Sequence, residues 1–174
     1  MTKEKTRWVI DPAHSEFSFR VKHMMISTVT GQFESFSSTA ESEGDGFTDA
    51  SVRVEIDVAS INTRDEKRDA HLKSDDFFNA ESYPKITFRS KRFDGRKLMG
   101  DITIRETTKE ITLDTEFNGI AVDLYGQTKA GFELTGELDR KEFGLRWDAV
   151  TDAGNVVAGD RVILQIGAQF IRQE

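Results

Sequence analysis

The stretch Phe17–Phe33, FSFRVKHMMISTVTGQF, decides the fold class. Phe17, Phe19, Val21 and His23 share one parity, and Ser18, Arg20 and Lys22 share the other. Successive side chains of an extended chain point to opposite faces, so this run reads as a strand with one buried face. It places an imidazole, His23, on the apolar face near a strand end, followed by Met24, Met25 and Ile26.

The same period of two recurs along the chain. SVRVEIDV aligns Val52, Val54, Ile56 and Val58, KITFRS aligns Ile86 and Phe88, and LMGDITIR aligns Leu98, Ile102 and Ile104. EITLDTEF aligns Ile111, Leu113 and Phe117, and AGFELTGELD aligns Phe132, Leu134 and Leu138. RVILQIGAQFI aligns Val162, Leu164, Ile166, Ala168 and Phe170. With residues 15–24 and 31–40 this makes about eight strands, separated in places by turn formers such as Asp94-Gly95 and Asn118-Gly119. One polar segment, residues 63–84, breaks the rhythm. It predicts a short helical insert around residues 65–80, with a helix over 65–73 capped by Thr63 or Asp65 and ended before Pro84.

Alternating strands in such number close into a barrel or stack as a sandwich. Small residues in phase with bulky ones (Ser35, Ser37, Gly100, Gly136 and Ala168) favour a barrel with internal room. The expectation is therefore all-β: an antiparallel barrel of about eight strands, formed by residues 1–174 as a single domain. Its inward wall is expected to include Phe17, Phe19, Val21, His23, Phe33, Val54, Ile56, Ile86, Phe88, Ile102, Phe132 and Leu134.

Composition narrows the function. The 174 residues carry a net charge of −7, which disfavours nucleic acid as a partner, because phosphate neutralisation needs clustered Lys and Arg. The absence of cysteine removes disulfides, thiolate nucleophiles and cysteine-based metal sites. No spacing of His14, His23 and His71 puts two imidazoles at one ion, so no metal is expected. Asp11, His14 and Ser15 are close in sequence, but a catalytic triad requires convergence in space, and Asp11-Pro12 reads equally as a turn. The N-terminal residues MTKEKTRWVIDP lack the apolar core of a secretory signal, and the expected location is cytoplasmic. Thirteen Phe against two Trp and two Tyr suit either a dry core or an apolar cavity. The basic segment 85–97 is read as a solvated strand face or as a transient contact with an anionic membrane surface.

Three long motifs, IDPAHSEFSFRVKHMMISTVTGQF, VEIDVASINTRDEKRDAHLKSDDFFNAESYPKITFRS and GELDRKEFGL, resemble the YceI-like family of polyisoprenoid-binding, lipocalin-like proteins. His14, Ser15, His23, Gly31, Phe33, Asp69, His71, Leu72, Phe77, Phe78 and Pro84 stand at family motif positions. The resemblance implies an extended, lipocalin-like barrel whose elongated pore holds a polyisoprenoid, an isoprenoid quinone or a similar long-chain or fatty amphiphile. It implies a non-enzymatic binding, storage or transport role, no cofactor besides the bound lipid, and a tendency to form homodimers. Many relatives are periplasmic. On this reading His23 meets the ligand's head group near a rim, and the methionines form an adaptable lip. An ordinary hydrogen-bonded histidine is the plainer alternative. The rival readings are a barrel filled by its own side chains and acting as an interaction or stress-related module, and an enzyme on a prenyl lipid using His23 as acid or base.

Overall fold

Strand β11, Ala158–Gln173, is the seam on which the fold closes. The computed structural model describes residues 5–24, 26–43, 46–145 and 158–173. Along one edge β11 pairs antiparallel with β10 (Thr128–Asp139) over eleven residue pairs, from Lys129↔Ile171 to Asp139↔Arg161. Its other edge is shared. β1 (Lys5–Ile10) takes the end, with Ile10 opposite Phe170, and β2 (Glu16–His23) takes the rest, with Phe17 opposite Ile166 and Val21 opposite Val162.

The neighbouring places are split in the same way. β4 (Phe36–Glu43) pairs with β1 while β3 (Ser27–Phe33) pairs with β2. β5 (Ser51–Asp57) pairs with β4, and the two-residue β6 (Ile61–Asn62) pairs with β3. β7 (Lys85–Phe93), β8 (Lys97–Ile104) and β9 (Thr107–Val122) lead round to β10 by antiparallel neighbours. The result is a closed antiparallel barrel with eight places around its girth. Closure matters energetically, since the β1–β11 pairing joins the two ends of the long run of strands and reduces the open rows of backbone donors and acceptors. At ~3.4 Å per residue the sixteen-residue β9 and β11 span about 50 Å before twist is allowed for, which makes the barrel elongated.

Strand β1 has no counterpart among the expected strands, because RWVI follows a charged run that masks its alternation. It supplies Trp8, wholly buried, whose Nε1 donates to Ser42 Oγ at 3.1 Å. Between β1 and β2 the DPAHS segment makes a single 3-10 turn, Pro12–His14. Asp11 is its hub: Oδ1 accepts from the Ala13 amide at 3.1 Å, and Oδ2 lies 2.8 Å from His14 Nδ1 and 2.9 Å from Lys129 Nζ. The lysine hydrogen bond is the chief cause that holds this carboxyl below its ordinary value.

Two expectations need correction. Ser35 and Ser37 do not face inward. The chain bends between β3 and β4, parity shifts by one, and Ser38, Ala40 and Ser42 become the buried small residues. In the insert, only Glu66–Lys73 is helical (α1), with Asp65 as cap accepting from the Lys67 and Arg68 amides at 3.1 Å. Residues 74–84 instead form linked turns, such as Phe78 N to Leu72 O and Tyr83 N to Asn79 O. Phe117 keeps phase with Leu113 yet is 44% exposed, because β8 accompanies β9 only as far as Asp114.

Glycine placement is tied to the aromatic wall. A Cβ on Gly100 would stand 2.6 Å from Phe88 Cζ and 2.5 Å from the Arg89 carbonyl oxygen, and the backbone contact cannot yield. Gly100→Ala is expected to lower stability by about 1–3 kcal/mol in urea denaturation, while Gly167→Ala, which meets nothing within 4 Å, stays near neutral. Equal effects would dissociate Gly100 from Phe88. Asp11→Asn is expected to cost about 1–2 kcal/mol at neutral pH. Since the folded carboxyl is the more acidic, its stabilisation is complete above the unfolded value. It is lost as pH falls through the folded value, so the gap between wild type and variant should close in acid.

Candidate functional site: an apolar cavity with a basic mouth

The inward faces of the barrel do not meet at the axis. They enclose a cavity of about 570 Å³, within the ~300–1,000 Å³ range usual for small-molecule sites. Phe17, Phe19, Val21, His23, Phe33, Val54, Ile56, Ile86, Phe88, Ile102, Phe132 and Leu134 all line it. So do Leu98, Ile104, Ile111, Leu113, Leu138, Val162, Leu164 and Ile166 from the same inward rows. Every place around the girth thus contributes carbon to the wall. Among the described residues the aromatic carbocycles of the lining are all Phe, which brings no hydroxyl or indole N–H that would need a partner.

The two ends differ. At the end reached by the β4–β5 and β9–β10 connections, aromatic rings close the barrel. Phe47 stands 5.0 Å from both Trp8 and Phe132 and 5.4 Å from Phe117, and Phe132 stands 6.2 Å from Phe170. Phe47 belongs to no alternating run, so nothing in its local sequence marks it as a plug. The far end carries α1, the β2–β3 turn and the one-turn helix Arg140–Phe143. Among the described residues, the cationic and imidazole groups of the wall gather there: Lys22, His23, Lys67, Arg68, His71 and Arg140.

Helix α1 turns one face to this mouth, since Lys67, Arg68, His71 and Leu72 follow the i, i+1, i+4, i+5 spacing of a helical stripe. Its position is fixed by Thr63, which is buried. Thr63 donates from N and Oγ1 to Asp69 Oδ1, and receives Arg68 Nε at 2.8 Å on Oγ1 and Nη2 at 2.6 Å on its carbonyl. Below the helix, Phe77 is buried and Phe78 meets Phe33 edge-on at 6.0 Å. Arg105 holds the turns from outside, donating to the Asp75 and Phe77 carbonyls at 3.1 and 3.0 Å. Arg140 lies over the Phe77 ring at 5.8 Å and donates to the Gly159 and Leu145 carbonyls at 2.8 and 2.7 Å.

The motif residues therefore separate into two groups. His71, Phe77 and Phe78 line the cavity, with His71 Nε2 2.8 Å from Asp76 Oδ2 and its ring against Phe77. His14 and Ser15 do not. His14 is exposed on Asp11, and Ser15 Oγ accepts from the Gln169 amide at 3.0 Å, stitching the kink to β11. Asp11, His14 and Ser15 thus form a turn and no nucleophilic constellation. His23 is half-buried at the end of β2, and its imidazole has no hydrogen-bond partner among the described residues. Of the expected lip, Ile26 is exposed, Met24 sits in the turn with φ 49°, and Met25 lies outside the described residues. Among the described residues no three His, Asp or Glu side chains are grouped to hold a metal ion. Three of the six basic residues of segment 85–97 are paired in place: Lys85 with Asp57, Lys91 with Asp101 and Glu110 at 3.2 Å, and Lys97 with Asp114 at 3.0 Å.

Lys67, Arg68 and Arg140 were not among the wall residues expected from sequence. The stripe on α1 carried a usable signal in its spacing, and Arg140 stands within the motif GELDRKEFGL, which by itself gave the arginine no role.

Residues 8–170 match the model of the YceI-like domain. A UPF0312 protein of Staphylococcus aureus is 37% identical over 166 residues, covering 95% of this chain and 97% of its own length. Among solved structures, the YCEI protein of Campylobacter jejuni superposes with TM-score 0.74 at 34% identity, covering 88% of this chain and 90% of that one. Burkholderia cenocepacia BcnA gives TM-score 0.78 at 22% identity over 92% and 98% of the two chains. A polyisoprenoid binding domain from Saccharophagus degradans gives 0.68 at 14% over 95% and 98%. These last two show the shared fold. With its barrel, its motif residues and a family match running from Trp8 to Phe170, this chain belongs to the YceI-like family.

Proposed function

We propose that this protein binds and carries a long-chain isoprenoid lipid, or a similar amphiphile, without transforming it. The observation that carries the reading is the cavity itself: about 570 Å³, lined mostly by carbon, with the cationic and imidazole groups of the described lining gathered at one end. That asymmetry matches an amphiphile lying along the barrel, tail toward the aromatic plug and head at α1. The Saccharophagus degradans domain, a polyisoprenoid binding domain of the same fold, supports this class of ligand.

Magnitudes favour a long chain. Each CH₂ taken from water contributes ~0.8 kcal/mol, so ten yield ~8 kcal/mol, within the ~4–15 kcal/mol cost of association. Roughly twenty yield ~16 kcal/mol and leave useful affinity. One methylene more or less discriminates by only ~1–3 kcal/mol, so recognition rests on overall length and on the head. His23, at the mouth and with no protein partner among the described residues, is the head-group donor in this reading.

Native mass spectrometry followed by organic extraction is expected to recover one unchanged long-chain amphiphile per chain. A barrel that is empty and also refuses polyprenols and isoprenoid quinones would overturn the proposal, and steady turnover of the lipid would replace it with an enzyme. Ala168→Phe is expected to shorten the tail-binding end beside Phe132. Chains long enough to reach it should lose about tenfold in affinity while shorter ones are spared. A uniform loss at all lengths would contradict the lengthwise placement. His23→Leu should weaken polar-headed ligands more than plain hydrocarbons, and an equal loss for both would remove the head-group role.

A further inference from the structure

The chain has 31 acidic residues and a net charge of −7, yet among the described residues no Asp or Glu lines the cavity. Its lining carries Lys67, Arg68 and Arg140 beside His23 and His71 at the α1 end, together with Lys22, which belongs to the other parity of β2 and reaches the lining beside the strand-end His23. For a protein this acidic, such a mouth is a local reversal of sign. It is also incompletely satisfied by the protein. Arg68 is committed to Thr63, Arg140 to the Gly159 and Leu145 carbonyls, and His71 to Asp76. The side chains of Lys22 and Lys67 have no hydrogen bond or ion pair among the described residues. The carboxylates nearby are engaged behind the wall: Asp65 caps α1, Asp69 accepts from Thr63, and Asp160 faces Arg140 and Lys141.

From this we infer, building on the carrier reading, that the cargo's head group is an anion, a carboxylate or a phosphate, held at the α1 mouth by Lys22 and Lys67. Ammonium groups at the mouth of an apolar cavity, with no carboxylate partner among the described residues, favour a head that brings opposite charge and disfavour a cationic one. Arg68 and Arg140, already anchored, add fixed positive charge without having to reach the ligand. Isoprenoid lipids ending in a free alcohol would then be weaker cargo than their phosphorylated forms, and fatty acids stronger cargo than fatty amides.

The test is a competition assay on delipidated full-length protein with probes that share one stearyl chain: acid, monophosphate, alcohol, amide and trimethylammonium. The acid and the phosphate are expected to bind about tenfold or more tighter than the alcohol, with the trimethylammonium weakest. In the double variant Lys22→Gln, Lys67→Gln, both exposed positions, the ratio of acid to alcohol affinity should collapse toward parity. Acetate and inorganic phosphate alone should not compete. Parity of acid and alcohol in the wild type, or a preference that survives the double variant, overturns the inference and leaves the carrier reading intact. Competition by inorganic phosphate alone would make the mouth a free-anion site and also overturn it. Failure of every probe, together with polyprenol and polyprenyl phosphate, would remove the carrier reading itself.

Discussion

Everything in this molecule depends on β11 having both of its edges used. One edge is satisfied by β10, and the other is too long for either neighbour alone, so β1 and β2 divide it at the Asp11–Ser15 kink. A barrel tolerates no exposed edge without inviting pairing with another chain. The kink is therefore a structural joint: it lets two short strands replace one long one, and it changes direction without opening the ring. Ser15 and Asp11 hold it by binding backbone and Lys129, which accounts for a Ser, a His and an Asp in close sequence without invoking chemistry.

Closure also determines the interior. Strands tilted round a ring of eight places leave a lumen that side chains can fill or leave open. Here the longest inward side chains are Phe, while positions such as Ser38, Ala40 and Ala168 stay small. Glycines serve the same wall from below, as where the Phe88 ring overlies Gly100. The aromatic cluster around Phe47 closes one end, so the asymmetry of the tube comes from a connection between strands and not from the strands themselves.

The mouth is constructed differently. Its parts come from α1, the end of β2 and the turn after β10, three segments that no local pattern links. Thr63, Arg105 and Arg140 fix them by hydrogen bonds to backbone carbonyls and to Asp69, and Phe77 and Phe78 seat them on the barrel. Polar bonds over an aromatic base give a rigid rim above a dry space. That combination suits a ligand with a charged head and a greasy body.

The inward rows were legible in the sequence because a strand's side-chain period is two: once Phe17, Phe19 and Val21 share a face, so must Val54 with Ile56 and Phe132 with Leu134. The α1 cap was legible as Thr63 or Asp65 from their short polar side chains ahead of the helix, and the structure shows Asp65 in that role. Ser35 and Ser37 were misread because a bend between β3 and β4 shifts parity, and a bend depends on what the strand packs against. Trp8, Phe47 and Arg140 were missed because their roles arise from partners far along the chain, Ser42 and Phe132 among them. The sequence alone thus determined a β-rich chain with one apolar face per strand. Tertiary structure decided that those faces surround a space, that one end is plugged by rings, and that the basic groups meet at the other, because position around a closed ring is set by long-range pairing.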